Sequence, residues 1–267
     1  QAVKETITQK EYKLPDLDLL EAKGKSVSIS ATELKKNARI IKDTLLNFGI
    51  EVEMGDVDVG PTVTRYMLRP NNGVKLSRIT ALQNDIALAL AAQAIRIEAP
   101  IPGMSFVGIE IPNKNRGIVR LREVLEGADL ANSDHVLPLA LGKDVLNDPI
   151  MFPLEKMPHL LIAGATGAGK SMGLNAMILS LLYKNTPDNL RFIFVDPKRV
   201  ELSTYNGIPH LLTPAIVQPE KALNALIWCV QEMERRYEKL AEVGTRNIFT
   251  YQEMRIQSLE DETVELL

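Results

Sequence analysis

Residues 164–171 of this 267-residue chain read GATGAGKS, which fits the phosphate-binding loop pattern G-x-x-x-x-G-K-[ST] at every fixed position. The apolar run HLLIA at residues 159–163 precedes the loop and predicts a buried strand. The run SMGLNAMILSLLY at residues 171–183 follows it and predicts a helix. Strand, glycine loop and helix in this order are the context that distinguishes a phosphate site from a chance glycine turn. The segment therefore constrains this part of the chain to an α/β fold.

The loop residues are of the types that phosphate binding requires. Glycines at 164, 167 and 169 let the backbone bend and bring its N–H groups close to phosphate oxygens, and the helix N-terminus adds partial positive charge. Lys170 can reach the β- and γ-phosphates, and the Ser171 hydroxyl can ligate Mg²⁺, so these two residues are the catalytic candidates and ATP with Mg²⁺ the predicted cofactors. The residues expected to line the nucleotide are Gly164, Ala165, Thr166, Gly167, Ala168, Gly169, Lys170, Ser171 and Met172.

Composition limits the partners. A hydrophobic fraction of 45% with 24% charged residues is typical of a globular chain. The net charge of −3 gives no global attraction to nucleic acid, so DNA binding would need a local basic patch or an assembly. Cys229 is the single cysteine, which excludes an internal disulfide, and its apolar helical surroundings predict a core position. No apolar run approaches the ~20 residues of a membrane-spanning helix.

The pattern divides the chain into three parts. Residues 1–29 are predicted to be a linker with a short docking segment, KLPDLDLLE. Residues 30–133 alternate helix and strand and predict a smaller α+β subdomain. Its helices are expected at 31–48, from a capping box at Ser30–Glu33 to a C-cap at Gly49, at 77–94 with Ser77 as cap, and at 121–125. Its strands are expected at 50–59, 61–68, 95–97 and 104–111.

Residues 134–267 are predicted to form the phosphate-loop domain. Strands are expected at 137–141 and at 191–195, where RFIFV reads as a second buried strand, and a long amphipathic helix is expected at 219–243. Strand, loop, helix, strand and helix in this order imply a right-handed parallel sheet with flanking helices.

Four charged residues have more than one interpretation, three just after the second strand and one after the long helix. Asp196 ends that strand as the acid of a Walker B strand would, but no second acid follows, and Asp-Pro also favours a turn or a strand-end position near the nucleotide. Lys198, together with Arg199, could contact phosphate, DNA or a neighbouring subunit, or be solvated. Arg246 is a candidate finger acting in trans on a neighbour's nucleotide, although any exposed loop arginine has the same pattern.

Several longer segments resemble one known family. MPHLLIAGATGAGKSMGLNAMILSLLY, RFIFVDPKRVELSTYNGIPHLL and ALNALIWCVQEMERRYEKLAEVGTRNI resemble the motor of the FtsK/SpoIIIE DNA translocases. Upstream, VGPTVTRYMLRP and GIEIPNKNR resemble the α subdomain that precedes the RecA-like β subdomain of that motor. The resemblance covers residues from about 30 to about 255, which makes it far more specific than a phosphate loop alone.

The resemblance implies an ATP-dependent pump for double-stranded DNA, with a RecA-like P-loop core. Such motors are homo-hexameric rings with DNA in the central pore and ATP at subunit interfaces, and in them Lys170 and Ser171 match the phosphate and Mg²⁺ contacts. The family acts in chromosome segregation and cell division. The resemblance also implies that the motor part is cytoplasmic. In the family it is tethered to the bacterial inner membrane at the septum only through N-terminal transmembrane helices, which this sequence lacks.

The sequence also departs from the family pattern. The family's Walker B strand, ending in Asp-Glu, and its C-terminal winged-helix module do not follow Arg246 here. The expectation is therefore a C-terminally truncated motor fragment that binds nucleotide with little or no turnover. The alternatives are a nucleotide-gated adaptor that assembles without translocating, and a small-metabolite P-loop kinase, whose clustered lid arginines are not apparent.

Overall fold

The structure is a computed structural model that describes residues 12–22, 24, 29–157 and 159–254. The chain divides into two compact units, Gln1–Thr186 and Pro187–Leu267, and each is described by itself. None of the helices in the described ranges is both long and apolar enough to cross a bilayer.

The N-terminal part of the first unit is a four-stranded antiparallel sheet covered by helices. The strands are β1 (Val52–Val59), β2 (Val63–Pro70), β3 (Arg96–Glu98) and β4 (Val107–Pro112), in the order β1-β2-β4-β3. The helices are α1 (Ala31–Asn47), α2 (Leu76–Ala81) and α3 (Gln83–Ala89). Apolar residues from both layers form one core, which includes Ile41, Leu45, Tyr66, Leu68, Ile79, Ile86 and Ile109. The predicted α+β arrangement of helices and strands is present here.

Local capping signals located α1 correctly. The Ser30 hydroxyl accepts a hydrogen bond from the Glu33 N–H at 3.2 Å, as the capping box predicts. Gly49 follows the helix with a φ of +67°, the left-handed conformation that ends helices and that glycine adopts without strain.

The single helix predicted over 77–94 is wrong. Two short helices, α2 and α3, are separated at Leu82, whose φ of −87° and ψ of 12° leave the helical region. Lys75, not Ser77, occupies the N-cap position of α2 and makes no side-chain capping bond. Leu82 packs against the core, so tertiary packing overrides the high helix propensity of this Ala- and Leu-rich stretch.

The rest of the first unit carries the phosphate loop. It contains α4 (Leu121–Gly127), the antiparallel hairpin β5 (Pro138–Lys143) and β6 (Pro149–Pro153), and α5 (Lys170–Lys184). The sequence indicated α4, β5 and α5 but not β6. A second apolar cluster joins these elements through Val124, Leu125, Leu130, Ala140 and Tyr183.

The predicted docking segment lies on this second cluster. Leu17 and Leu20 pack against it, and the Tyr183 hydroxyl donates a hydrogen bond to the Asp16 carbonyl at 3.3 Å. Arg122 forms an ion pair with Asp18 at 2.8 Å. Residues 12–22 are therefore a docked segment and not a free linker; the remainder of the predicted 1–29 linker lies mostly outside the described residues.

The buried strand predicted at 159–163 is wrong. Residues 160–166 belong to no strand, and the Leu161 side chain is 91% exposed. A strand needs a neighbouring strand to take its backbone hydrogen bonds. No described residue of this unit pairs with the segment 159–163.

In the second unit, the parallel pairing of the predicted α/β core occurs at two isolated bridges, Phe192 with Leu211 and Val195 with Ile216. The segment 191–195 contributes these bridges instead of a full strand, and Phe194 is its one buried apolar residue. The long helix is confirmed as α6 (Pro219–Glu242), with proline at its first position. Within the described residues nothing buries its apolar face, so Cys229 is exposed and its predicted core position is wrong.

Candidate nucleotide site

The glycine loop has the backbone shape that its sequence indicates. Gly167 and Gly169 have φ values of +81° and +89°, which side chains with a Cβ rarely adopt. The Ala168 N–H closes a turn on the Ala165 carbonyl at 3.1 Å. At Gly164 the reason for glycine is space, since a Cβ there would lie 3.2 Å from the Cβ of Ala168. These glycines therefore let the loop curl tightly in front of α5.

The start of α5 offers backbone donors to an anion. Gly169 is the N-cap residue and has no side chain to accept the first-turn N–H groups. The Gly173 N–H makes a hydrogen bond to the Gly169 carbonyl at 2.8 Å, so the N–H groups before it have no acceptor further back in the helix. Backbone donors and the helix dipole thus converge on the loop, as an anion site requires.

Lys170 lies across the loop in front of this helix end. Its Nζ donates hydrogen bonds to the carbonyl oxygens of Gly164 at 2.6 Å and Ala165 at 3.1 Å. Both acceptors are neutral, and residues 159–170 are all exposed. A phosphate oxygen in the loop would offer the ammonium a stronger, charge-assisted bond.

Ser171 and Met172 complete the first turn of α5. Ser171 is partly buried and follows directly after the lysine, the position from which a hydroxyl can ligate Mg²⁺ beside the phosphates. Met172 is 73% exposed. The donor set of loop amides, ammonium and hydroxyl suits the phosphates of a bound nucleotide; Lys170 and the amides would hold the phosphates, and Ser171 would hold a Mg²⁺ ion beside them. Among the described residues no group of three or more His, Cys, Asp or Glu side chains forms a separate metal site.

The far end of α5 is fixed by polar contacts. The Lys184 ammonium donates to the carbonyl oxygens of Leu130, Ala131 and Ser133 at 3.1, 3.1 and 2.9 Å. The Ser180 hydroxyl accepts a hydrogen bond from the Ala140 N–H at 3.1 Å. The helix that presents the phosphate loop is thereby held at its C-terminal end. Sequence reasoning missed both residues, because their partners lie 40 to 54 positions away in the chain.

In the second unit, Asp196 is turned onto its own loop. The residue is 6% exposed, and its Oδ2 atom accepts hydrogen bonds from the N–H groups of Val200, Glu201 and Leu202, each at 3.0 Å. These backbone donors, the Leu202 N–H foremost, outweigh the opposing effect of burial and hold the pKa of Asp196 below its usual value. This geometry matches the turn interpretation of Asp-Pro, and it leaves Oδ2 occupied.

The other charged candidates differ in their partners. Lys198 and Arg199 are exposed, and their side chains form no ion pair within the described residues. Arg246 is exposed in the turn region after α6, and its reach into a neighbour's site stays a prediction. Of the predicted site residues, 164–172 are contiguous in the first unit, whereas Asp196, Lys198 and Arg246 belong to the second.

Comparison with known proteins gives two family matches. The FtsK/SpoIIIE family matches residues 120–266, more than half of the chain, and the FtsK alpha domain matches residues 14–113. The two matches together span the phosphate loop and the four-stranded sheet.

Curated relatives agree with the family matches. The chain is 49% identical over 247 residues to the DNA translocase FtsK of Clostridium tetani, covering 91% of this chain and 33% of that protein. It is 48% identical over 241 residues to the protein of the same name in Haemophilus influenzae, covering 90% of this chain and 46% of that protein. The chain thus spans between a third and a half of the length of these relatives.

A solved structure of the pCW3 conjugation coupling protein TcpA, monomer form with ATPγS, is also similar. The match has a TM-score of 0.42 and 20% sequence identity, and it covers 82% of this chain and 60% of that one.

Proposed function

We propose that this chain, which belongs to the FtsK/SpoIIIE family, is the nucleotide-binding part of an ATP-driven motor that moves along double-stranded DNA. The observation that carries the proposal is the loop 164–171, with positive φ at Gly167 and Gly169 and the Lys170 ammonium lying across it. The relatives named DNA translocase are longer proteins, so translocation is proposed for the full-length protein.

The residues of the site take distinct tasks in this proposal. Loop amides and Lys170 bind and orient the phosphates, and Ser171 holds Mg²⁺. Bound Mg·ATP supplies a phosphoanhydride whose hydrolysis releases free energy. Because Lys184 and Ser180 fix the far end of α5, a shift of the loop would be passed along the helix to the segment around Leu130–Ser133.

Duplex DNA is the proposed substrate even though the chain carries a net charge of −3. Phosphate contacts need only a few local cations, and a homo-hexameric ring would repeat them around a central pore. In such a ring Arg246 would reach the nucleotide of the neighbouring subunit. The whole protein would then act in chromosome segregation at cell division, tethered to the membrane by N-terminal helices.

We expect little hydrolysis by the chain alone. Asp196 is engaged by three backbone N–H groups, and no Asp-Glu pair follows an apolar run after Arg246 to position the attacking water. Phosphate release measured with saturating Mg·ATP should stay near background. Turnover of ~1 s⁻¹, an ordinary rate for phosphoryl-transfer enzymes, would show that another acid of this chain activates the attacking water.

Triplex displacement by the full-length protein tests the motor directly. The wild type should strip a third strand from duplex DNA only when ATP is present. Lys170→Ala should abolish displacement, and Lys42→Ala, which removes an exposed lysine of α1, should leave it unchanged. Nucleotide-dependent assembly on a size-exclusion column without any displacement would contradict the motor and favour the adaptor.

A further inference from the structure

The loop after Asp196 is organised around one carboxylate oxygen. Three successive backbone N–H groups, those of Val200, Glu201 and Leu202, converge on Oδ2 at 3.0 Å each. The Arg199 N–H also donates to the Asp196 carbonyl at 3.1 Å. Arg199 itself has a φ of +57°, a backbone conformation that a non-glycine residue holds only when its surroundings impose it. The shape of residues 197–202 therefore depends on Asp196.

The loop carries two cations that the described protein does not neutralise. Lys198 and Arg199 are exposed and form no ion pair with any described carboxylate. The other adjacent cation pair of the second unit, Arg235 and Arg236 on α6, differs because both guanidinium groups bind Glu232, at 2.6 and 2.8 Å. Bonds from Arg235 and then Arg236 lower the pKa of Glu232 to about 2, so both of these arginines already share a carboxylate partner.

We propose that Asp196 is a positioning residue whose carboxylate holds the loop 197–202 in the shape that presents Lys198 and Arg199 together to the phosphates of duplex DNA. The proposal rests on the proposed function, which supplies the duplex. Two neighbouring permanent cations on an exposed loop suit phosphate contacts, which carry no sequence information, as a motor that moves along any sequence requires. Two acids flank the pair, Asp196 two residues before Lys198 and Glu201 two residues after Arg199. The Asp196 carboxylate is bonded to the backbone, and neither acid forms an ion pair with the two cations.

Removing the Asp196 carboxylate distinguishes a role in holding the loop from a role in repelling DNA by its charge. An acid that only repels DNA should, once removed, leave binding tighter. A positioning acid should, once removed, leave binding weaker although both cations remain. Asp196→Asn removes the charge but keeps a side-chain oxygen that can accept the same N–H groups, so it should restore much of the binding lost in Asp196→Ala.

The experiment measures the affinity of the 267-residue chain for a fluorescent duplex by anisotropy at several salt concentrations. Lys198→Gln/Arg199→Gln should lower the slope of log affinity against log salt by about 2. Asp196→Ala should weaken binding about tenfold at 50 mM salt, equivalent to the loss of roughly one phosphate contact. Lys221→Gln, at an exposed lysine of α6, is the matched control and should change little. Affinity for Mg·ATP should be the same in every variant.

Amide hydrogen exchange gives a readout that needs no DNA. The N–H groups of residues 200–202 should exchange faster in Asp196→Ala and near the wild-type rate in Asp196→Asn. Equal or tighter duplex binding by Asp196→Ala, or unchanged exchange at these amides, would overturn the positioning role. If the wild-type chain failed to bind duplex while the exchange pattern held, the DNA contact would fall and only the loop-holding contact would stand. The proposed function would still be decided separately, by triplex displacement with the full-length protein.

Discussion

Lys170 and Asp196 carry opposite charges in two separate loops, and each binds the backbone of its own loop. Lys170 donates to two carbonyl oxygens in a fully exposed segment, so phosphate oxygens can replace those partners at little cost. Asp196 accepts from three N–H groups while nearly buried, so its bonds are part of the fold. The first residue is therefore poised to exchange partners and the second is not.

A buried ion pair gives a prediction about acid stability. Lys143 and Glu123 lie 2.8 Å apart with side chains only 7% and 9% exposed, and the Gly24 N–H also donates to Glu123 at 3.2 Å. Burial acts to raise the pKa of Glu123, but the hydrogen bonds from Lys143 and Gly24 outweigh it, and the net pKa is lowered. The stabilisation should therefore be complete above the unfolded-state pKa of about 4.3 and be lost as the pH falls through the lower folded-state value.

Urea unfolding of the wild type and Glu123→Gln tests this contact. At pH 7 the variant should be less stable by on the order of 2 kcal/mol, because Lys143 loses its carboxylate partner in a buried site. The difference should shrink as the pH is lowered below 4. A difference that stays constant down to pH 2 would show that the Glu123 carboxylate contributes nothing through its charge.

At the level of helices and strands, the sequence predicted what is decided locally. The start of α1 at Ser30, its end before Gly49, and the long α6 after Pro219 follow from caps and periodicity that lie within each segment. The strand predicted at 159–163 is absent because a strand forms only beside another strand that takes its hydrogen bonds. An apolar run does not show whether such a neighbouring strand is present. The break at Leu82 and the hairpin strand β6 likewise depend on packing that no local pattern encodes.

The exposed face of α6 yields a test with the chain's single cysteine. Cys229 lies in the middle of this helix, among exposed apolar residues that include Leu226 and Met233. Its thiol should react with Ellman's reagent in native buffer about as fast as in urea, one thiol per chain, because nothing in the described residues covers it. Protection of the thiol in the native chain, lost on unfolding, would show that this face is buried in solution.

For the molecule as a whole, the sequence predicted the consecutive residues of the phosphate-loop motif but not the contacts that hold them from distant parts of the chain. Residues 164–172 are consecutive, so the sequence alone assigned them, and the loop has the predicted backbone geometry. The contacts of Lys184 with Leu130–Ser133 join residues about fifty positions apart, which no sequence pattern in a single chain reveals. The chain divides into its two compact units after Thr186, whereas the two family matches are separated by residues 114–119. The predicted subdomain boundary at 133/134 stays a prediction.

Isothermal titration of the 267-residue chain with Mg·ATP tests the central claim most directly. The wild type should give saturable heat with one site per chain, since the loop amides, Lys170 and Ser171 together bind the phosphates and metal. Lys170→Ala should remove that heat, and Lys42→Ala, the exposed-lysine control, should retain it. No heat from the wild type, or the same heat from Lys170→Ala, would contradict the account.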